Sequence, residues 1–479
     1  MKKYTIDHIK GYFIDPRNAE SAKSLAEMTS TATIFMAQVY ASGNRTLKEG
    51  KEKSRIADKN LNNIFKRILQ KEALTRKFDH KFMGHVHPHG NKIGILAQFI
   101  ASFMNTNTVV AEVSTQENLM ETEVLQKMAT WFDYDISKYS GNIVSGGSIS
   151  NLTALLVARE KILSSLKKDE VKKLYILVNK MRHYSIIKAA NILGINVEII
   201  ELPLQGFKTD IIATERIIND LIVRDEGKIM ALIGIAGETE TGEIDDLKGL
   251  ANLSEKYSLY FHVDAAYGGP YILSRVKDKF FGIEDADSIT IDPHKLLYVP
   301  YEAGAILFKS KVDHHLISST MTKEARYLLQ KNQKEDTLEE VRNYGTTRVE
   351  GSLGSGGVIA TWATLELLGD EGMATILNYT LDLTKHACEM VSESNNLRVL
   401  HKPDINTVLI SLKNKELDIK THNMQINAMY AEADSQGYYI SRNGEIDNGK
   451  NALRFVAMNP HTTKEDISNL ISILDHVIN

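Results

Sequence analysis

An α/β architecture is predicted: a mostly parallel central sheet, preceded by a helical N-terminal segment and followed by a small α+β C-terminal domain. Three observations carry it. From Ile143 onward, short apolar strands alternate with helices, the pattern of a parallel sheet with helical crossovers. Residues 1–80 are rich in helix formers with polar connections. After about residue 365 a long helical run is followed by two strand-like segments and a closing helix. The chain therefore divides into a packing segment (1–80), a large ligand-binding domain (81–365) and a small domain (366–479).

The composition bounds the function. A chain of 479 residues can bury a sizeable core and is too long for one compact unit. Its 43% hydrophobic and 25% charged residues are ordinary for a soluble protein. The formal charge of −4 comes from well-mixed signs, so no basic tract points to nucleic acid or to an anionic membrane. With Cys388 as its one cysteine, the chain has no intramolecular disulfide and no cysteine metal cluster, and a reducing cytoplasm fits. The N-terminus lacks the apolar core of a signal peptide, and the longest apolar run, 94–104, is too short to span a bilayer.

In chain order, 19–41 is expected to be helical, and 48–72 sets Ile56, Leu61, Ile64, Ile68 and Leu69 at roughly helical spacing. Both are expected to pack on the rest rather than fold alone. The stretch 82–90 crowds His85, His87 and His89 around Pro88. No carboxylate stands there at ligand spacing, so the segment reads as a binding-site loop or a turn and no metal is assigned. An amphipathic helix follows over 115–132, with Thr115 as its N-cap. Strands are expected at 174–178, 197–200, 229–235 and 259–263, with a helix at 185–193 between the first two. In the C-terminal part a helix runs through 381–391, strands occupy 407–412 and 452–457, and a helix starts at Thr463.

Ligands of such sheets sit beyond the carboxyl ends of the strands, and the chemistry-bearing residues gather there. The glycine turn at 144–148 opens directly into a helix, whose free N–H groups and positive dipole end suit a phosphate. It lacks the Lys-Ser/Thr ending of a triphosphate loop, and its spacing differs from the dinucleotide fingerprint. His183 follows one strand, placed to stack on an aromatic ring or to hydrogen-bond at a helix start. Thr239 follows another. Asp264 stands at the carboxyl end of the strand expected at 259–263, as a loop cap or as partner to a pyridine nitrogen. His294 and Lys295 sit at a turn between two apolar runs. Lys295 is either a surface lysine on a hairpin or a buried amine, whose lowered pKa would free the neutral form to make a Schiff base.

In this order the Ser-Gly-Gly-Ser turn, His183, the Gly-Glu-Thr loop, His-Val-Asp-Ala-Ala-Tyr-Gly and Asp-Pro-His-Lys resemble the group II pyridoxal-phosphate-dependent amino acid decarboxylases. The resemblance runs from about Phe82 to the end and includes 453–466, similar to that family's C-terminal domain. Around His294-Lys295 and Glu350 the motifs look closest to the bacterial tyrosine and aromatic amino acid enzymes. It implies a fold-type I enzyme with pyridoxal 5′-phosphate held on Lys295, Asp264 against the ring nitrogen and His183 stacked on the ring. Gly147, Ser148 and His294 would contact the phosphate, and Thr239 would lie near the O3′ side. A homodimer is implied, in which the glycine-rich segment carrying Ser355 and Gly356 completes the partner's site. His87, Pro88 and His89 would line the substrate pocket, and Tyr327, on a polar lid over 318–346, would return the proton. Two positions depart from the family pattern: Ile149 replaces an acidic or small residue, and Glu238 replaces a threonine, which weakens the expected contact at Thr239.

The implied reaction is decarboxylation of L-tyrosine or another aromatic amino acid to its amine. A glutamate- or aspartate-type enzyme would need a cation in the pocket, with Lys92 and Arg348 the candidates. A related lyase or aminotransferase would share Lys295 and Asp264, but an aminotransferase would normally add an arginine clamp for the retained carboxylate. A phospholipid-type lyase would usually carry a membrane anchor. A non-catalytic pyridoxal-phosphate-binding protein would have no need of Lys295, Asp264, His183 and Tyr327 together.

Overall fold

The computed structural model describes residues 4–15, 17–42, 64, 67–68, 80–109, 113–165, 173–318 and 344–478. Its centre is a seven-stranded sheet in the order β1 (Ser140–Val144), β9 (Gly304–Phe308), β8 (Ser288–Ile291), β7 (Phe261–Asp264), β6 (Lys228–Ile235), β2 (Leu174–Asn179) and β3 (Val197–Leu202). The run from β8 through β7, β6 and β2 to β3 is parallel, and β9 pairs antiparallel with both β8 and β1. All but one strand therefore point their carboxyl ends the same way. A two-stranded ribbon, β4 (Leu204–Gln205) and β5 (Lys208–Thr209), follows β3.

The strands are apolar because both faces of the sheet are covered. Along β2 the period of two sends Ile176 and Val178 into a core shared with the helices Gly147–Ser165 and Tyr184–Leu193. Tyr175 and Leu177 face the opposite core, which includes Leu247 and Leu250 of the helix Leu247–Tyr257 and Val124 and Leu125 of the helix Thr115–Trp131. The N-terminal segment is stapled on from outside: Ile9 and Phe13 are buried, Phe13 packs edge-on against Tyr298 at 5.4 Å, and the Tyr4 hydroxyl donates to the Leu367 carbonyl at 2.9 Å.

The C-terminal part carries an antiparallel sheet, β10 (Leu397–Val399), β11 (Thr407–Leu412), β13 (Lys450–Val456) and β12 (Ser441–Asp447). The helices Ile419–Ser435 and Lys464–His476 pack on it, the second started by a reciprocal Thr463/Asp466 cap. The helix Gly356–Glu393 runs across the boundary placed near 365 and breaks at Gly369, whose φ of 59° suits glycine. No helix among the described residues is long and apolar enough to cross a membrane.

The strand positions match the pattern-based ones to within a few residues, and the helix starting before Ser185 begins at Tyr184. Three readings change. The helix Thr115–Trp131 takes Ser114, not Thr115, as its N-cap residue, and no side chain caps it. The segment joining β8 to β9 runs from Asp292 to Ala303, too long for the tight hairpin turn considered for Lys295. β1 was not anticipated, because Ser140-Gly-Asn-Ile-Val144 mixes polar and apolar residues although all five are buried. Its polar side chains bond remote residues, Ser140 with His314 at 2.9 Å and Asn142 Nδ2 with Thr347 at 3.2 Å, while Asn142 Oδ1 has no partner among the described residues. At the outer edge of β1 a fully buried ion pair takes the strand's bonding groups. Glu121 accepts the Ile143 N–H at 2.7 Å, Arg348 Nε donates to the Ile143 carbonyl at 2.9 Å, and Arg348 Nη2 meets both Glu121 oxygens at 2.7 and 2.8 Å. Of the 48–72 helix, Ile64, Arg67 and Ile68 are described and helical, while Ile56, Leu61 and Leu69 lie outside the described residues, as does Tyr327.

Candidate active site

Five strand ends converge on one cavity of 480 Å³. β1 leads into Ser145–Ser148, β2 into Met181 and His183, β6 into Gly237–Thr239, β7 ends on Asp264, and β8 leads into Asp292, His294 and Lys295. Gly147, Ser148, His183, Thr239, Asp264, His294 and Lys295, all singled out from the sequence, line it together. Sheet topology explains the convergence, since parallel strands deliver their following loops to one rim.

At that rim the helix Gly147–Ser165 presents its first N–H groups, those of Gly147 and Ser148, ahead of the Ile149 and Ser150 N–H groups that bond the Gly146 carbonyl. A Cβ on Gly147 would stand 2.8 Å from Asp292 Oδ2, so only glycine lets the helix start this close to the end of β8. Asp264 accepts from Asn151 Nδ2 at 2.8 Å and from the Ala266 N–H at 3.2 Å. Burial drives the charge off His294, whose pKa falls to about 4. Its Nδ1 accepts the Ala303 N–H at 3.1 Å, so Nε2 carries the proton, 3.6 Å from Asp292. His183 is half-buried, and burial also lowers its pKa, which keeps its ring neutral.

Lys295 departs from expectation. Burial does oppose its charge, but Asp292 and Asp264 outweigh it and the amine's pKa lies above its ordinary value. Its Nζ stands 3.0 Å from Asp292 Oδ2. The predicted lowering considered burial alone and missed the flanking carboxylates. Glu238 lines the same cavity, and burial raises its carboxyl to about 7. Both its oxygens accept from its own loop, from the N–H groups of Glu240 and Thr241 and the Thr241 hydroxyl.

The other predicted residues that are described lie outside the cavity lining. His87 packs against Tyr301 at 4.8 Å, and Tyr301 in turn lines the cavity and stacks on His294 at 4.0 Å. Pro88 is buried and His89 stands beside the Gly90 carbonyl. Ser355 bonds Thr106 at 2.8 Å, and Gly356 starts the long helix. Neither candidate cation enters: Lys92 donates to the Gly11 carbonyl, and Arg348 is the partner of Glu121. Four site residues were missed. Asp292 stands inside the quoted Asp-Pro-His-Lys motif, Asn151 lies one helical turn beyond Gly147, and Tyr301 belongs to the β8–β9 connection. Arg454, on β13, reaches the rim by donating to the Thr239 carbonyl at 3.1 Å. Its distance in sequence left no signal.

The donor set fits pyridoxal phosphate. Free first-turn N–H groups against a glycine cradle suit its phosphate, Asp264 offers an acceptor to the ring nitrogen, and Lys295 supplies the amine. No group of three or more metal-ligating side chains occurs among the described residues.

Comparison with known proteins agrees with this chemistry. A family model described as the pyridoxal-dependent decarboxylase conserved domain matches residues 46–413. The chain is 30% identical over 376 residues to an aspartate 1-decarboxylase of Aliivibrio fischeri, covering 69% of this chain but 65% of that protein, less than two thirds of its length. It is 29% identical over 428 residues to the L-tyrosine/L-aspartate decarboxylase of Methanocaldococcus jannaschii, covering 86% of this chain and 96% of the other. Among solved structures, the Oryza sativa TDC with PLP and tryptamine superimposes with a TM-score of 0.80 at 17% identity, covering 97% of this chain and 98% of that one.

Proposed function

The chain belongs to the pyridoxal-dependent decarboxylase family and is a pyridoxal-phosphate-dependent amino acid decarboxylase; from that premise we propose that it converts L-tyrosine or another aromatic amino acid to the amine and carbon dioxide. The observation that carries the reading is the convergence of the glycine turn, Asp264 and Lys295 on one cavity from three strand ends.

When bound, the cofactor supplies an electron sink for the pair left at Cα as the carboxylate departs. The chain's residues make that sink usable. Gly147 and Ser148 would hold the phosphate through first-turn N–H groups, and His294 would offer its Nε2 proton from the same cavity wall. Asp264 would keep a proton on the ring nitrogen, and His183, which lines the same cavity, would stack on the ring. Lys295 would anchor the cofactor through its amine, with Asp292, 3.0 Å from Nζ, beside it to hold the ammonium form. Tyr327 returns the proton to Cα, a role that rests on its position in the sequence.

A second reading has a specific observation behind it. Arg454 is buried at the cavity rim, and its Nε has no hydrogen-bond partner among the described residues, a feature suited to an acidic side chain; relatives named for aspartate support the same alternative. We also propose a homodimer. The helix Lys92–Met104 buries only Gly94, Ala97 and Ala101 fully, leaving Ile93, Leu96, Phe99, Ile100 and Phe103 partly open and Met104 exposed, an apolar face that a second copy would cover. A cytoplasmic location fits the single cysteine.

The deciding experiment assays the purified, cofactor-loaded protein against a panel of amino acids for carbon dioxide, amine and keto acid. Amine and carbon dioxide from tyrosine are expected. A clear preference for aspartate or glutamate would establish the second reading, and keto acid without carbon dioxide would overturn both.

A further inference from the structure

Beneath the cavity floor, a chain of buried polar side chains meets at one residue that the catalytic reading does not use. Asn151 lies on the helix Gly147–Ser165, 1% exposed, and makes four hydrogen bonds. Its Nδ2 donates to Asp264 Oδ2 at 2.8 Å and to Ser185 Oγ at 3.0 Å. Its Oδ1 stands 3.0 Å from His262 Nε2 and accepts from Thr290 Oγ1 at 2.8 Å. Two donors and two lone pairs are the whole capacity of an amide. Asp264, as a carboxylate, only accepts, so the amide has one orientation: turned over, its oxygen would face the carboxylate oxygen.

That orientation sets the direction of every neighbouring bond. His262, fully buried, must carry its proton on Nε2 to donate to Asn151 Oδ1, and its Nδ1 then accepts from Ser288 Oγ at 2.9 Å. Ser185 Oγ accepts from Asn151 and has a hydrogen to donate to His183 Nδ1, 2.9 Å away. The Ser185 N–H approaches the same nitrogen at 3.3 Å. His183 therefore keeps its proton on Nε2. The two groups assigned to the cofactor ring, Asp264 at its nitrogen and His183 at its face, come from different strands but are oriented by a single amide.

We propose that Asn151 is the positioning residue of the cofactor site: it fixes the Asp264 carboxylate as an acceptor aimed at the ring nitrogen and, through the Ser185 hydroxyl, steadies the ring of His183. This deepens the decarboxylase reading and rests on it. Losing a hydrogen bond to a buried charged group weakens what that group holds by about ten- to a hundredfold.

The test uses the full-length protein loaded with pyridoxal 5′-phosphate and compares wild type, Asn151→Ala and Ser185→Ala. The readouts are the cofactor's absorption band, the pH profile of that band and the cofactor dissociation constant; circular dichroism checks the fold. A wild-type protein without a cofactor band would sink the decarboxylase reading itself. Given that band, Asn151→Ala should bind the cofactor about ten- to a hundredfold more weakly and shift the band's pH profile, because ring-nitrogen protonation feels Asp264. Ser185→Ala, which cuts only the His183 arm, should change the dissociation constant less and leave the pH profile in place. A folded Asn151→Ala whose band, pH profile and affinity stay within twofold of wild type would overturn the proposal. If that variant does not fold, Ser185→Ala decides: an unchanged dissociation constant overturns it, and a several-fold rise sustains it.

Discussion

At the scale of single residues, the cavity holds groups whose protonation is set by their surroundings. Burial lifts the Glu238 carboxyl from an ordinary 4.5 to about 7. The folded state thus grips that proton more tightly than the unfolded chain, so the contribution of Glu238 to stability is fully present below about pH 4.5 and is lost as pH rises through about 7. Glu238→Gln removes the titration. Urea unfolding of both proteins at pH 5 and pH 8 should show the wild type losing about 2–3 kcal/mol more than the variant across that window; parallel losses would show that Glu238 is not the titrating group. Tyr327 tests the proton return. Tyr327→Phe should still bind substrate and release carbon dioxide while amine falls by about a hundredfold to ten-thousandfold, the usual cost of losing a positioned proton donor. An unchanged amine yield would assign the proton to another donor. Lys295, Asp264 and the glycine turn were legible in the sequence because each sits in a short motif beside a strand end. The raised pKa of Lys295 was not, since the balance between burial and the fields of Asp292 and Asp264 is a matter of distance.

At the scale of elements, the strands read well because a sheet covered on both faces leaves near-continuous apolar runs, as in Leu174–Asn179. β1 was hidden because its burial is supported by side-chain bonds from remote residues, His314 and Thr347. Arg454 was hidden for a related reason: β13 reaches the rim only once the two sheets are docked. One small loop shows how that docking is held. Asp404, just before β11, bonds Lys208 on β5, Lys279 at 2.5 Å and the Ile244 N–H at 3.0 Å, while His401 meets Glu243 at 2.8 Å. Burial pushes the Asp404 carboxyl up, but its hydrogen bonds with Glu243, Lys208, Lys279 and Ile244 hold it well below the usual range, at about 2. A depressed folded pKa adds stability that is complete above about pH 4 and is lost as pH falls toward 2. Asp404→Asn should therefore unfold more easily than wild type at pH 7, by about 2 kcal/mol, with the gap narrowing as pH falls below 4. A gap that widened in acid would reverse the assignment.

At the scale of the whole molecule, neither the apolar helix Lys92–Met104 nor the segment at Ser355 and Gly356 lines the cavity of its own chain. If the second copy completes each site, inactive Lys295→Ala protein mixed with a variant altered at Ser355 and Gly356 should regain activity as subunits exchange. Mixed dimers that form yet stay inactive would place each site within one chain. The central sheet adds a constraint of another kind. An open strand edge is a template on which further chains can polymerise, and β1 ends the sheet on one side. There the Ile143 N–H and carbonyl are already taken by Glu121 and Arg348, so the ion pair stands where an intruding strand would bond. Arg348→Met should leave Glu121 buried without its cation, costing about 3–5 kcal/mol, and free the Ile143 carbonyl at that edge as well. Its signature would be light scattering that grows with protein concentration, and the clamp on β1 would then be read as the chain's guard against aggregation.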